Sequence, residues 1–411
     1  MAPLPDTSPV TPLRFAFLYP QLKKLTGAQR LILRLAEYTV AEGVPVTLVT
    51  HQIADEPRAA LSSTVSLVET GQRVDYTGNH YADAVSEYAL AASLVKHIPK
   101  NTTTVFGFGP PSMPALWWAR RRRTKYALFA FLYEPPRFID RERVEVRSGL
   151  GIIGHFVAPL FNVYGAVDRQ FVAAADGLFA NGQYGAARLH QAYGRDAVVI
   201  SHGVDFTEPS ADASTEVRIR YGISPTAPVL LSVNQLHPRK RLDLFIRTLA
   251  AVRQRYPDAR GILVGRGVDE ARLRTEARLR GVTDALTFTG FVPDSDLPAF
   301  YRAASVYLHT GRDETFGLSV LEAAWSGLPV VAVDEGGPRE ILAGGTLGSL
   351  VPATVEALAD AICAILGDPR GTQMRAAQAQ TSVRARYSWQ AGARALIAAT
   401  AQSPMLHETA K

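Results

Sequence analysis

The chain has 411 residues, 47% hydrophobic and 20% charged, with a formal charge of +6. That length calls for two or three domains with real cores, and the composition is an ordinary globular mix. A single cysteine, Cys363, excludes a disulfide within one chain and a cysteine-rich metal site, while the mild basic excess suits anionic ligands or an anionic surface.

The opening MAPLPDTSPVTPL carries four prolines and no apolar run, and reads as a disordered lead over residues 1–12, not as a signal peptide. Arg14–Tyr19 is a buried-strand run, Gln29–Val40 has helical periodicity, and Val46–Thr50 is a second strand, together a βαβ unit. Further apolar strands follow at Thr104–Phe106, Ala127–Leu132, Gly177–Ala180 and Val198–Ile200, with helical stretches between them. The alternation predicts a doubly wound parallel sheet. Gly27, in the first strand-to-helix loop, could let that helix start face an anion. Trp117-Trp118 followed by Arg120–Arg123 and Lys125 is the one dense basic run, and tryptophans beside arginines suit a membrane interface with anionic headgroups. Gly149–Val167 comes nearest to an apolar span, but it holds His155, Pro159 and Asn162 and reads as a buried helix or a membrane-facing hairpin.

Residues 207–227 shift to Glu, Pro, Ser, Asp and Thr, the composition of a connection with a short helix. A second series then begins, with strands at Val229–Val233, Gly261–Val264, Leu286–Thr289, Val306–Leu308 and Pro329–Val333. Helices are expected at Leu242–Tyr256, Glu270–Arg280, Leu297–Ala304, Val355–Leu366, Gln373–Arg386 and Trp389–Ala399. Asp294 and Asp296 have the Asp-x-Asp form of a metal site, but at the start of a helix they read as caps.

The stretch Gly311–Val333 carries the most chemistry. Glu314 and Glu322 bracket Phe316-Gly317 with seven residues between them. If Phe316-Gly317 opens a helix, its free N–H groups and positive dipole end form a phosphate site around Phe316, Gly317, Leu318 and Ser319. Eight steps at helical rise span roughly 12 Å, so two carboxylates flank an anion site at the separation of a sugar ring and a ribose. Lys240 follows the second series' first strand, where basic side chains point into the ligand crevice of a parallel sheet.

These motifs resemble the donor site of retaining glycosyltransferases of family four (glycosyl transferases group 1), which have the GT-B fold of two Rossmann-like domains facing a cleft. The resemblance implies that Glu314 contacts the transferred sugar and Glu322 the ribose hydroxyls. It implies that Lys240 and a basic residue five positions earlier neutralise the departing diphosphate. Gln235 stands in that earlier place, with Arg239 or Arg241 as neighbouring candidates. Thr289–Pro293 and the run DEGGPREIL also match, and imply that backbone near Val292 faces the nucleobase. Phe131–Phe138 resembles the lipid-linked oligosaccharide mannosyltransferases, with Tyr133 where they hold histidine; Tyr133, Glu134 and Arg137 are the implied acceptor- or sugar-side groups.

The resemblance implies a hexosyltransferase, mannose favoured, using GDP-mannose or a UDP-hexose as donor substrate with no cofactor and no metal. Its expected partners are that donor, a glycan or glycolipid acceptor and an anionic membrane surface, with no nucleic acid, and its expected place is the cytoplasm. The expected domains are an acceptor domain over 13–206, a connection over 207–227, a donor domain over 228–386 and a returning C-terminal helix and tail over 387–411. Two other readings stay open: a nucleotide-sugar epimerase of the same architecture, and an inactive membrane-associated scaffold.

Overall fold

The computed structural model describes residues 12–402 apart from 24, 26, 73–85, 87, 123, 134, 136–164, 201 and 211. The chain divides into two compact units, one running to Gly203 and taking in Trp389 onward, the other Val204–Ser388.

The first unit is built on a seven-stranded parallel sheet of β1 (Phe15–Leu18), β2 (Val46–Thr50), β3 (Ser66–Glu69), β4 (Thr104–Phe108), β5 (Ala127–Phe131), β6 (Gly177–Ala180) and β7 (Ala197–Val199). Its order is β3-β2-β1-β4-β5-β6-β7. Sheets covered on both faces read as continuous apolar runs, and FAFL and ALFAF are such runs. Alternation then sorts the side chains. Phe15, Phe17, Phe106, Phe108, Phe129, Phe131 and Phe179 share one cluster, and Ala16, Leu18, Val105, Leu128 and Ala130 share another. The phenylalanine layer packs against Leu31, Ile32 and Leu35 of the helix Gly27–Ala41 and against Trp389, Ala393 and Leu396 of the C-terminal helix Trp389–Ala401. Glu42 ties that last helix down by accepting from Gln390 at 2.7 Å and Arg394 at 2.8 Å.

The second unit has a six-stranded parallel sheet of β8 (Val229–Val233), β9 (Arg260–Val264), β10 (Leu286–Gly290), β11 (Val306–His309), β12 (Val330–Val333) and β13 (Ser349–Val351), in the order β10-β9-β8-β11-β12-β13. Both orders reverse beside their first strand, the switch point at which open α/β sheets bind ligands beyond their carboxyl ends.

Residues 207–227, expected as a connection, are part of this second unit. The helix Ala213–Arg220 buries Val217, and Ile223 and Ala227 join the same core cluster. A few apolar side chains outweigh a polar composition here. The edge strands Ser66–Glu69 and Ser349–Val351 are short and only partly covered, so no long apolar run announces them. Asp296 precedes the helix Leu297–Ala303 without capping it, and accepts instead from Ser295 Oγ at 3.0 Å.

Candidate active site

Two loops at the carboxyl ends of β8 and β11 build the site in the second unit. After β8, Gln235 is exposed and a single 3₁₀ turn, Pro238–Lys240, leads to the helix Leu242–Arg253. His237 Nδ1 accepts from the Arg239 N–H at 3.2 Å, fixing that turn. After β11, residues 310–317 run to the helix Leu318–Trp325.

Cross-bonds stitch the loops together. The Arg312 N–H donates to the Arg239 carbonyl at 3.1 Å, and Arg239 Nη1 to the Asp313 carbonyl at 3.2 Å. Thr310 Oγ1 donates to the Lys240 carbonyl at 2.8 Å. Arg241 spans Thr310 and Glu335, donating Nε to the Thr310 carbonyl and Nη2 to Glu335 Oε2, each at 2.8 Å. This stitching holds two non-glycine residues in the left-handed region, Arg241 at φ 46° and Asp313 at φ 52°. Such backbone costs about 1–3 kcal/mol per residue and persists only where neighbours over-determine it. One follows Lys240 and the other precedes Glu314, so the strain brackets the pair they form.

Lys240 Nζ donates to Glu314 Oε2 in an ion pair whose side chains are 14% and 16% exposed. Burial alone would raise the Glu314 pKa, but the charges of Lys240 and then Arg239 outweigh it and hold the carboxyl down at about 2. The Glu314 backbone is pinned from the far side: its carbonyl accepts from the Gly337 N–H at 2.7 Å. A Cβ on Gly336 (φ 67°) would stand 2.5 Å from that carbonyl oxygen, and one on Gly337 only 2.4 Å from the Phe316 oxygen. The paired glycines allow an approach that no side chain permits.

Gly317, at φ 97°, precedes the helix Leu318–Trp325, and a Cβ there would lie 3.7 Å from Glu314 Cγ. No side chain caps this helix and no acidic residue occupies its first turn, which leaves the N–H end open to an anion. Phe316 is buried against Tyr387, and Leu318 packs partly on the same core. Tyr307 donates to Ser319 Oγ at 2.7 Å, and Tyr301 to Glu322 Oε2 at 2.8 Å. Glu322 is 4% exposed, so its carboxylate is set by the core and not by solvent. Val292 is half-buried beyond β10. His309 at the end of β11 is fully buried with neither ring nitrogen partnered, and burial lowers its pKa to about 4. The imidazole there is neutral.

The structure thus brings Lys240, Glu314 and Arg239 together, with Gly317 adjacent. Arg241 completes the frame together with Thr310, Tyr301 and Tyr307, three residues that sequence reasoning missed. The two tyrosines carried one signal: a phenol on a strand or helix buried on both faces needs a partner for its hydroxyl.

In the first unit, Gly27 opens its helix and is exposed, and Tyr133 donates to the Ala28 carbonyl at 3.3 Å. Burial, then the neighbouring Tyr19, push the Tyr133 phenol well above its usual pKa. Glu134 and Arg137 lie outside the described residues, as does most of Gly149–Val167. Arg120 is not a solvated charge: it pairs with Asp176 and donates to the Ala174 carbonyl. Trp117 and Trp118 stack at 5.8 Å, with Arg121 and Arg122 over their rings at 4.2 and 5.5 Å. No described helix is long and apolar enough to cross a membrane. Among the described residues there is also no cluster of three or more His, Cys, Asp or Glu that could hold a metal.

The family described as Glycosyltransferase Family 4 matches residues 25–208, and that described as Glycosyl transferases group 1 matches 214–383. The chain belongs to the family-four, group 1 glycosyltransferases. A D-inositol 3-phosphate glycosyltransferase of Kribbella flavida is 35% identical over 56% of this chain and 58% of its own length. A GDP-mannose-dependent alpha-(1-6)-phosphatidylinositol monomannoside mannosyltransferase of Mycolicibacterium smegmatis is 35% identical over 46% and 52% respectively. The chain therefore spans little more than half the length of these curated relatives. Among solved structures, HepE of Anabaena in complex with UDP and glucose superposes with a TM-score of 0.72 at 22% identity, over 95% of this chain and all of that one. Sucrose-phosphate synthase of Thermosynechococcus elongatus gives 0.73 at 21%, over 94% and 100%. The fold is GT-B.

Proposed function

We propose that this glycosyltransferase moves a hexosyl group, mannose first, from a nucleotide diphosphate sugar to an acceptor hydroxyl with retention of configuration and without a metal. The carrying observation is the buried Lys240–Glu314 pair beside the open helix start at Gly317. The diphosphate lies against the N–H groups of Leu318 and Ser319 and is neutralised by Lys240, which places positive charge where the leaving group gains negative charge. Arg239, held beside Glu314, supplements the lysine. Glu314 orients the sugar, and Glu322, set by Tyr301, takes the ribose hydroxyls. The departing phosphate oxygen accepts the acceptor's proton, so no side-chain base is required. The GDP-mannose named for the 35% identical relative supports mannose. Inositol-bearing glycolipids and sugar phosphates are the acceptors to try first, following the relatives' names.

The test is NMR of the full chain with GDP-mannose or UDP-glucose, with and without such acceptors. A new α-linked product from an α-linked donor is expected. An altered sugar still bearing its nucleotide indicates an epimerase, and no change with any donor removes the enzyme reading.

The stacked Trp117 and Trp118, with Arg121 and Arg122 over them, support docking on an anionic lipid surface from the cytoplasmic side. Flotation with phosphatidylglycerol vesicles should be lost when Arg121 and Arg122 become Ser. Arg120 is left intact in that variant because it braces Asp176.

A further inference from the structure

The pairing of Lys240 with Glu314 has a consequence for binding. Both residues are assigned to the donor, yet in the structure each is paired with the other. A lysine committed to a carboxylate cannot neutralise a diphosphate at the same time with full effect. We propose that Glu314 is the counterion of Lys240 before the donor binds, and that the donor's diphosphate takes the lysine from it, freeing the carboxylate for the sugar. The inference rests on the donor-site reading above and adds an exchange step to it.

The structure indicates which partner moves. Glu314 sits on backbone whose carbonyl accepts from the Gly337 N–H and lies close against Gly336. The Lys240 carbonyl is likewise held, by Thr310, but its ammonium rides on a flexible four-carbon stem. With both backbones held, the exchange is a side-chain movement, and the lysine, with the longer stem, makes the larger part of it. Arg239, anchored on the Asp313 carbonyl, remains to face Glu314 afterwards, so the exchange does not strand a buried charge. Protonation cannot substitute for the ligand, because the Glu314 carboxyl stays ionised down to about pH 2. The incoming diphosphate carries more than one negative charge and gains the helix start as well, which makes the exchange favourable. Part of its binding energy is nevertheless spent on separating the pair.

It follows that removing the Glu314 charge strengthens binding of a nucleoside diphosphate even as it removes a sugar contact. Calorimetry with GDP and with UDP, neither bearing a sugar, tests this on the full chain. Glu314→Gln is expected to bind at least one of them about fivefold more tightly than wild type. In a Lys240→Met background the same change is expected to do nothing. Binding by Glu314→Gln that is equal to or weaker than wild type, or tightening that persists without Lys240, would overturn the exchange while leaving the donor site standing. No binding of either nucleotide to wild type would overturn the donor reading and the exchange with it. If Glu314→Gln does not fold, wild-type crystals soaked with each nucleotide decide. Lys240 Nζ should then reach a phosphate oxygen and lie beyond about 4 Å from Glu314, and an intact pair overturns the proposal.

Discussion

The Thr310 hydroxyl donates to the Lys240 carbonyl at 2.8 Å, joining the loop after one strand to the loop after another. Thr310 is fully buried. Its bond therefore sets where the lysine stem begins, with no solvent alternative.

Thr310→Val keeps the shape and removes the donor, leaving a carbonyl without that partner at a cost of about 1–3 kcal/mol. The expected result is a kcat roughly tenfold lower with a smaller change in donor KM. Thr310→Ser should restore most of it. Steady-state kinetics on the two variants would show the split, and equal losses in both would mean that the hydroxyl does not position Lys240.

Lys240→Met should lower kcat/KM for the donor by about 100-fold, the scale of losing one preorganised charge at a developing anion. Gln235→Arg is expected to act in the other direction. Gln235 is exposed at the end of β8, so an arginine there has room to add a bidentate donor to the diphosphate. A several-fold fall in donor KM is expected, and a rise would show that position 235 does not face the diphosphate.

Gly337→Ala would place a Cβ 2.4 Å from the Phe316 oxygen and 2.5 Å from its Cα, contacts with backbone that cannot turn away. A loss of about 2–4 kcal/mol in stability is expected, with nucleotide binding lost alongside because the same loop carries Glu314. Calorimetric unfolding would check it. A stable variant with normal binding would contradict the pinning of this loop.

Two groups give the second unit a pH dependence. His309 has a folded pKa of about 4, below its ordinary 6.5, because burial disfavours the cation. Its contribution is complete above pH 6.5 and is lost as pH falls toward 4, where the unfolded chain binds a proton that the folded one refuses. Glu314, depressed from 4.5 to about 2, contributes fully above 4.5 and loses it as pH falls toward 2. A shift of that size corresponds to about 3 kcal/mol for each group. Urea unfolding of His309→Leu should show a shallower decline between pH 6.5 and 4. Glu314→Gln should differ in slope only below about pH 4.5. Slopes identical to wild type would contradict both assignments.

Much of the framework was legible because parallel strands covered on both faces must be apolar throughout. Val229–Val233 and Gly261–Val264 could be placed that way. Glu314 and Lys240 were legible as chemistry, from a helix start and a strand end. What joins them was not: they are 74 residues apart, and the bond depends on how two loops close. Arg241 illustrates the limit. In sequence it is one more charge in Arg239-Lys240-Arg241, yet in the fold it takes a left-handed backbone and spans Thr310 and Glu335. The segment 207–227 misled because composition averages over residues, whereas burial is decided by a few, here Val217, Ile223 and Ala227.

The central claim is that a nucleotide diphosphate sugar seats on the helix start at Gly317 and on Lys240. Amide hydrogen exchange on the full chain, with and without GDP-mannose and UDP-glucose, tests it most directly. The expected result is new protection over residues 314–322 and 238–241 with at least one donor, abolished in Lys240→Met. Unchanged exchange in both segments at saturating donor, or protection confined to other parts of the chain, would contradict it.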